Sequence, residues 1–244
     1  MYPAGPWFAR FIACLSATLV SACAGMQRDT SLPINDPYEQ TNRRILDANQ
    51  AVLRPVAQVV KAVVPTPLQN RLRDLDNNLR EPRIFANNIL QGRFRTAGQT
   101  VGRFFLNSTF GIGGLVDIAT DAGLPQQSGD FGQTLFVWGV AEGPYVVRPY
   151  FGPSTLRDSI GSSVDMVGDP VGFLLSARFG LAATVGGTSL DATVRLGQLK
   201  QAEDSSIDFY SFLRSGYYQA RRAELREAIG LTESVDSPAT SPAR

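Results

Sequence analysis

Histidine is absent from the 244 residues. That one gap removes Ser-His-Asp triads, Cys-His pairs, His-ligated zinc and imidazole acid-base catalysis together. Cysteine is scarce, with only Cys14 and Cys23 present. Neither sign of charge is in excess, the formal net charge being +1, so the chain carries no electrostatic footprint for nucleic acid. Beyond residue 23 no apolar run approaches the about 18 residues of a conventional membrane span. The sequence also has no GxSxG, SxxK, P-loop or CxxC motif. Carboxylate chemistry alone stays open, and nothing in the chain points towards it, so no enzymatic activity and no cofactor are expected.

What is present begins at the amino terminus. Arg10 supplies a positive n-region and Phe11 to Val20 an apolar h-region. The run is far shorter than the roughly 20 residues needed to cross a bilayer. It ends in Leu19-Val20-Ser21-Ala22-Cys23, which resembles the lipobox of bacterial lipoproteins. The resemblance implies cleavage before Cys23, diacylation of its thiol and acylation of the new amino terminus. Three chains exceed the two signals that stable anchoring requires, at about 0.8 kcal/mol per buried CH₂. An ordinary secretory cleavage with an incidental cysteine is the alternative, and the coincidence of cut and cysteine favours lipid. Cys14 lies in the segment to be removed, so the mature chain has a single thiol and no internal disulfide. In an oxidising compartment a lone thiol is better explained by lipid than by redox chemistry. Ala24, rather than aspartate, resembles lipoproteins sent on to the outer membrane.

The remaining residues suit one domain with a substantial core. The expected organisation is a signal peptide over 1–22, a lipidated tether over 23–35, one domain over 36–230 and a disordered tail over 231–244. Asn35 or Asp36 is placed to cap a helix with Pro37 at its first position. Ile45, Leu46, Val52, Leu53, Val56, Val59, Val60 and Val63 recur at helical spacing. Pro55 is expected to kink or split this helix, and Pro65-Thr66-Pro67 to end it. Further helices are expected over 68–79, from Glu81-Pro82 to about Leu90, and over 96–106, with a glycine-rich break and a short helix after them. Residues 122–130 read as a loop and 131–138 as strand or helix. Helices resume over 155–167, 170–179, 181–199 and 205–229.

Several motifs carry competing readings. Gly111-Ile112-Gly113-Gly114 hints at a phosphate loop, but Val116 stands where GxGxxG needs its third glycine and no βαβ context surrounds it. A helix-to-helix break explains it better. Asp117 with Asp121, and Asp165 with Asp169, have spacings that suit a hard cation, although helix faces and caps account for them more simply. Arg214, Arg221, Arg222 and Arg226 read either as a steering face for anionic lipid or as a solvated face near a helix C-terminus. Residues 139–153 hold three glycines, three prolines and three aromatics, which forbids a regular helix. Such an apolar, irregular backbone needs partners for its polar groups. A buried structural hairpin and a gate beside a channel both meet that need.

Asn35-Asp36-Pro37-Tyr38-Glu39, Asn42-Arg43, Asn78-Leu79-Arg80-Glu81-Pro82 and Asn88-Ile89-Leu90-Gln91-Gly92 resemble successive blocks of the MlaA (VacJ) lipoprotein family. So do Arg103–Asn107, Gly111–Asp117, Phe131–Leu135, Trp138–Val147 and Thr155–Asp158, in order. The resemblance implies an all-α, single-domain ring of amphipathic helices with a central pore and one irregular Gly/Pro hairpin. It implies an outer-membrane lipoprotein on the periplasmic side that removes misplaced glycerophospholipid from the outer leaflet and passes it to a periplasmic carrier. A trimeric porin is the implied partner in the membrane, and a porin-supporting lipoprotein without transport is the alternative. On that basis Cys23 is the expected anchor. Gly139, Gly143, Pro144, Tyr145 and Pro149 form the expected gating hairpin, supported by Asp36, Asn42 and Arg43.

Overall fold

The computed structural model describes residues 33–168 and 206–230, together with Thr30 and Glu203. The signal segment, Cys23, Asp169, the expected helices over 170–179 and 181–199, and the tail from residue 231 lie outside the described residues. Seven helices and one two-stranded sheet make up the described part. They are α1 Glu39–Val63, α2 Thr66–Leu90, α3 Phe94–Thr109, α4 Ile118–Asp121, α5 Phe131–Val137, α6 Leu156–Gly168 and α7 Phe209–Ala228. The strands β1 Tyr145–Arg148 and β2 Gly152–Thr155 lie between α5 and α6.

Two sequence expectations are corrected here. Pro55 does not split the first helix, which runs from Glu39 to Val63. The expected helices over 68–79 and 81–90 are one element, because α2 continues through Pro82. A proline inside a helix removes one backbone bond and crowds the preceding turn. Pro82 is on the exposed side, and the turns around it are held by packing on α3. The Glu81 carboxylate there accepts from Arg103 Nε at 2.8 Å, and Asn78 Nδ2 donates to Ser108 Oγ at 3.0 Å. The segment left between strand and helix is helix α5, capped by Asp130, whose carboxylate accepts from the Gln133 N–H at 2.9 Å.

The glycine-rich segment after α3 is a break between helices. Gly114 has φ +98°, and a Cβ there would lie 2.5 Å from the Asn78 side chain. Only glycine allows α2 to approach that backbone so closely. Ile112, beside it, adopts φ 54° and is exposed.

The polarity of the fold is inverted. Among the described residues, buried polar and charged side chains outnumber buried hydrophobic ones, and the largest side chain that is fully buried is Arg103. Large apolar side chains such as Val63, Phe94, Phe105, Phe110, Ile112 and Val167 are exposed. No helix among the described residues is long and apolar enough to cross a membrane.

Polar networks fill much of the described interior beside one small apolar cluster. Between α2 and α3, Arg103 reaches Glu81, Asp117 at 3.0 Å, Thr120 Oγ1 at 3.0 Å and the Leu124 carbonyl. Under α5, Asn87 donates to Asp165 at 2.9 Å, and Thr134 Oγ1 donates to Asn87 at 2.8 Å. Asp117 and Asp165 are thus used as internal acceptors. Among the described residues no acidic group forms a cluster fit for a metal ion.

Candidate functional site: the hairpin and its supports

The segment 139–153 contains the expected hairpin, and its strands pair in regular antiparallel register. Tyr145 pairs with Thr155 and Arg148 with Gly152. The strands are joined by Pro149-Tyr150-Phe151, where the Phe151 N–H donates to the Pro149 carbonyl at 2.8 Å. Tyr150 holds φ 64°, an uncommon conformation for a bulky residue.

Two asparagines of α1 bind the hairpin, Asn42 along the outer edge of β1 and Asn49 at the turn. Asn42 Nδ2 donates to the Tyr145 carbonyl at 3.2 Å, and its Oδ1 accepts from the Val147 N–H at 2.8 Å. Asn49 repeats this contact nearer the turn. Its Nδ2 donates to the Arg148 carbonyl at 2.9 Å, and its Oδ1 accepts from the Tyr150 N–H at 2.8 Å. Both side chains are buried. A side-chain amide has the donor and acceptor of a peptide group, so each asparagine stands in for a residue of a third strand.

The expected gate residues divide into two groups. Tyr145 is fully buried and packs with Tyr210, Tyr217 and Tyr218 of α7, the ring centroids lying 5.8–6.2 Å apart. It therefore anchors the hairpin root in the small apolar core with Leu46 and Val147. The Tyr145 N–H donates to the Asn35 carbonyl at 2.7 Å, and the Pro144 carbonyl accepts from the Leu156 N–H at 3.0 Å. Gly143 adopts φ +72°, and a Cβ there would meet Leu156 Cβ at 3.0 Å. Gly139 (φ 82°) ends α5, where its N–H donates to the Phe136 carbonyl. Pro149 is exposed at the turn, away from the tyrosine cluster.

The expected supports meet at the root. Asp36 accepts from Asn42 at 2.9 Å, Tyr210 Oη at 2.6 Å and Arg214 at 2.6 Å. Arg43 bridges Glu39 and Asp208, with contacts of 2.7 and 2.6 Å. It thereby links α1 to the residue that caps α7.

The arginines of α7 are neither a solvated face nor a lipid-steering one at Arg214 and Arg221. Arg221 is buried and binds Asp130 at 2.7 Å and Asp158 at 2.9 Å, tying α7 to the N-cap of α5 and the first turn of α6. Burial works against ionisation of Asp158, yet Arg221, together with Arg157, holds its carboxyl far below the usual carboxylate range. Tyr217 Oη donates to the same carboxylate at 2.8 Å. Sequence reading missed Asn49, Asp130, Asp158 and Arg221 as supports. Asn49 carried one usable signal, its place seven residues after Asn42 on the same helix face.

Residues 34–224 match the family described as MlaA lipoprotein. The chain belongs to the MlaA lipoprotein family. It is 34% identical over 216 residues to the Escherichia coli K12 protein named intermembrane phospholipid transport system lipoprotein MlaA, covering 84% of each chain. The Haemophilus influenzae protein of the same name is 32% identical over 244 residues, with 92% of this chain and 93% of that one covered. A solved structure concerned with the structural basis for maintenance of bacterial outer membrane lipid asymmetry is 32% identical, with a TM-score of 0.64. The match covers 78% of this chain and 98% of that one. That similarity to MlaA extends across the hairpin and both helices that hold it.

Proposed function

We propose that this chain is the outer-membrane lipoprotein of a system that maintains lipid asymmetry, anchored through Cys23 on the periplasmic side. It removes mislocalised glycerophospholipid from the outer leaflet through a central pore and passes it to a periplasmic carrier. A trimeric porin is its partner in the membrane. The reading rests on one observation above all, the inverted polarity of the fold. Exposed apolar side chains such as Phe94, Phe105, Phe110 and Val167 suit contact with acyl chains. Buried, hydrogen-bonded polar groups suit a path along which a headgroup avoids the several-kcal/mol cost of unpaired polarity in hydrocarbon.

The hairpin is the element best suited to control such a path. Strand β1 is bonded by β2 on one side and by Asn42 on the other, with Asn49 holding the turn, which leaves fewer peptide groups unpaired at membrane depth. No bond is made or broken by the protein in this scheme.

The deciding experiment compares outer-leaflet phospholipid in cells lacking the protein and in cells supplied with it again. A rise in the deletion strain, reversed by the intact chain but not by Cys23→Ser, is the expected result. Unchanged asymmetry with loss of porin trimers would instead favour a porin-supporting lipoprotein.

A further inference from the structure

Along α1 the arginines differ in one respect. Arg43 is neutralised by Glu39 and Asp208, and Arg54 pairs with Glu203. Arg44 is exposed, and no carboxylate among the described residues pairs with it. Its side chain borders a groove of about 250 Å³ between α1 and the hairpin turn. Ile45, Ala48 and Val52 form one wall, and Pro149 and Tyr150 form the other. The second wall is held in place by Asn49, whose carbonyl oxygen accepts from the Tyr150 N–H and fixes that residue at φ 64°. Non-glycine residues in this region persist only where their surroundings impose it, and they cluster at ligand clamps.

We infer that this groove is a capture site for one lipid bearing a phosphodiester. The phosphate sits on Arg44, and the first methylenes of a chain lie against Val52 and Tyr150. A guanidinium is suited to a phosphodiester because it offers several donors in a planar fork. The apolar walls reject a free anion, which gains nothing from them. The volume admits a headgroup or the start of a chain, not a whole lipid, so the remaining hydrocarbon stays in the surrounding bilayer. The site rests on the transport reading above and deepens it, placing lipid at the tip of the hairpin.

The test uses the full-length lipidated protein in detergent, with dihexanoyl phosphatidylglycerol and inorganic phosphate as probes. Saturable binding of the short-chain lipid is expected, with Arg44→Gln weakening it at least about tenfold, in line with loss of a charge-assisted hydrogen bond. Val52→Gln weakens it through the wall, whereas Arg95→Gln, on a different helix, leaves it unchanged. Inorganic phosphate competes only at concentrations far above those of the lipid. Equal binding by Arg44→Gln and the parent chain overturns the site. Competition by phosphate as effective as by lipid also overturns it, leaving an anion site. The two readings fail separately. Arg44-dependent binding in a protein whose deletion leaves asymmetry intact removes transport and keeps the groove. Restored asymmetry with Arg44-independent binding keeps transport and removes the groove.

Discussion

Asn42 and Asn49 stand seven residues apart on α1 and bind the hairpin at points centred three residues apart, on Val146 of β1 and Pro149 of the turn. Seven helical residues rise about 10.5 Å, and three strand residues rise about 10 Å. The two spacings match, so one face of α1 reaches both the strand and the turn with side chains alone. The same match makes α1 and the hairpin one mechanical unit. If the hairpin moves during transport, α1 moves with it or these four bonds break.

Asn49→Asp is expected to turn hairpin docking into a function of pH. An ionised carboxylate still accepts from Tyr150 but cannot donate to the Arg148 carbonyl, whereas the protonated acid does both. Amide exchange of Tyr150, corrected for intrinsic rate, should be slow in acid and fast at neutral pH. In the parent chain it should be slow at both. Exchange that is equally slow in the variant at neutral pH would show that Asn49 does not hold the turn.

Arg221→Met removes the guanidinium that Asp130 and Asp158 share, leaving Asp130 without that partner and Asp158 with Arg157 alone. Breaking a buried pair from one side costs about 3–5 kcal/mol. Thermal unfolding in detergent should record a loss of that order. The triple variant that also carries Asp130→Asn and Asp158→Asn should recover part of it.

Acid sensitivity follows from Asp117. Burial alone would raise its pKa, but hydrogen bonds from Thr120, Asn107 and Arg103 hold it at about 2. Its unfolded value is about 3.9. The stabilisation is therefore fully present above pH about 4 and is lost as pH falls towards 2. Asp117→Asn should flatten the stability profile across that window, and a profile unchanged from the parent would show that the carboxylate is not used as described.

Gly143→Val introduces a β-branched side chain at φ +72° and a Cβ at 3.0 Å from Leu156. Backbone strain of this kind costs about 1–3 kcal/mol. Lipid flux should change while the protein still fractionates with membranes, because the proposed anchor Cys23 is untouched. Normal flux would leave this end of the hairpin as scaffold only.

Ile112→Gly should act in the opposite direction on stability. A β-branched residue at φ 54° is a strained choice, and glycine accepts that region freely. A gain of about 1 kcal/mol in detergent is expected, along with weaker partitioning into vesicles. Equal partitioning would show that this exposed side chain does not contact the bilayer.

Much of the chain was legible before any tertiary structure. Apolar periodicity located α1, composition ruled a helix out of residues 139–153, and the missing histidines removed most enzymatic chemistry. The blocks from Asn35 to Asp158 pointed to the family, because such motifs are local in sequence. The tertiary structure decided what local pattern leaves open. Pro55 and Pro82 sit inside continuous helices, and at Pro82 packing on α3 outweighs one missing bond. Arg221 looked like a surface charge, since nothing in the neighbouring sequence reveals two carboxylates 63 and 91 residues away. Tyr145 read as part of a gating hairpin, and only the tertiary structure shows that three tyrosines of α7 enclose its ring. Residue types and spacings set which elements form. Which polar groups find one another across the fold is a matter of long-range pairing, and among the described residues that pairing buries more polar side chains than apolar ones.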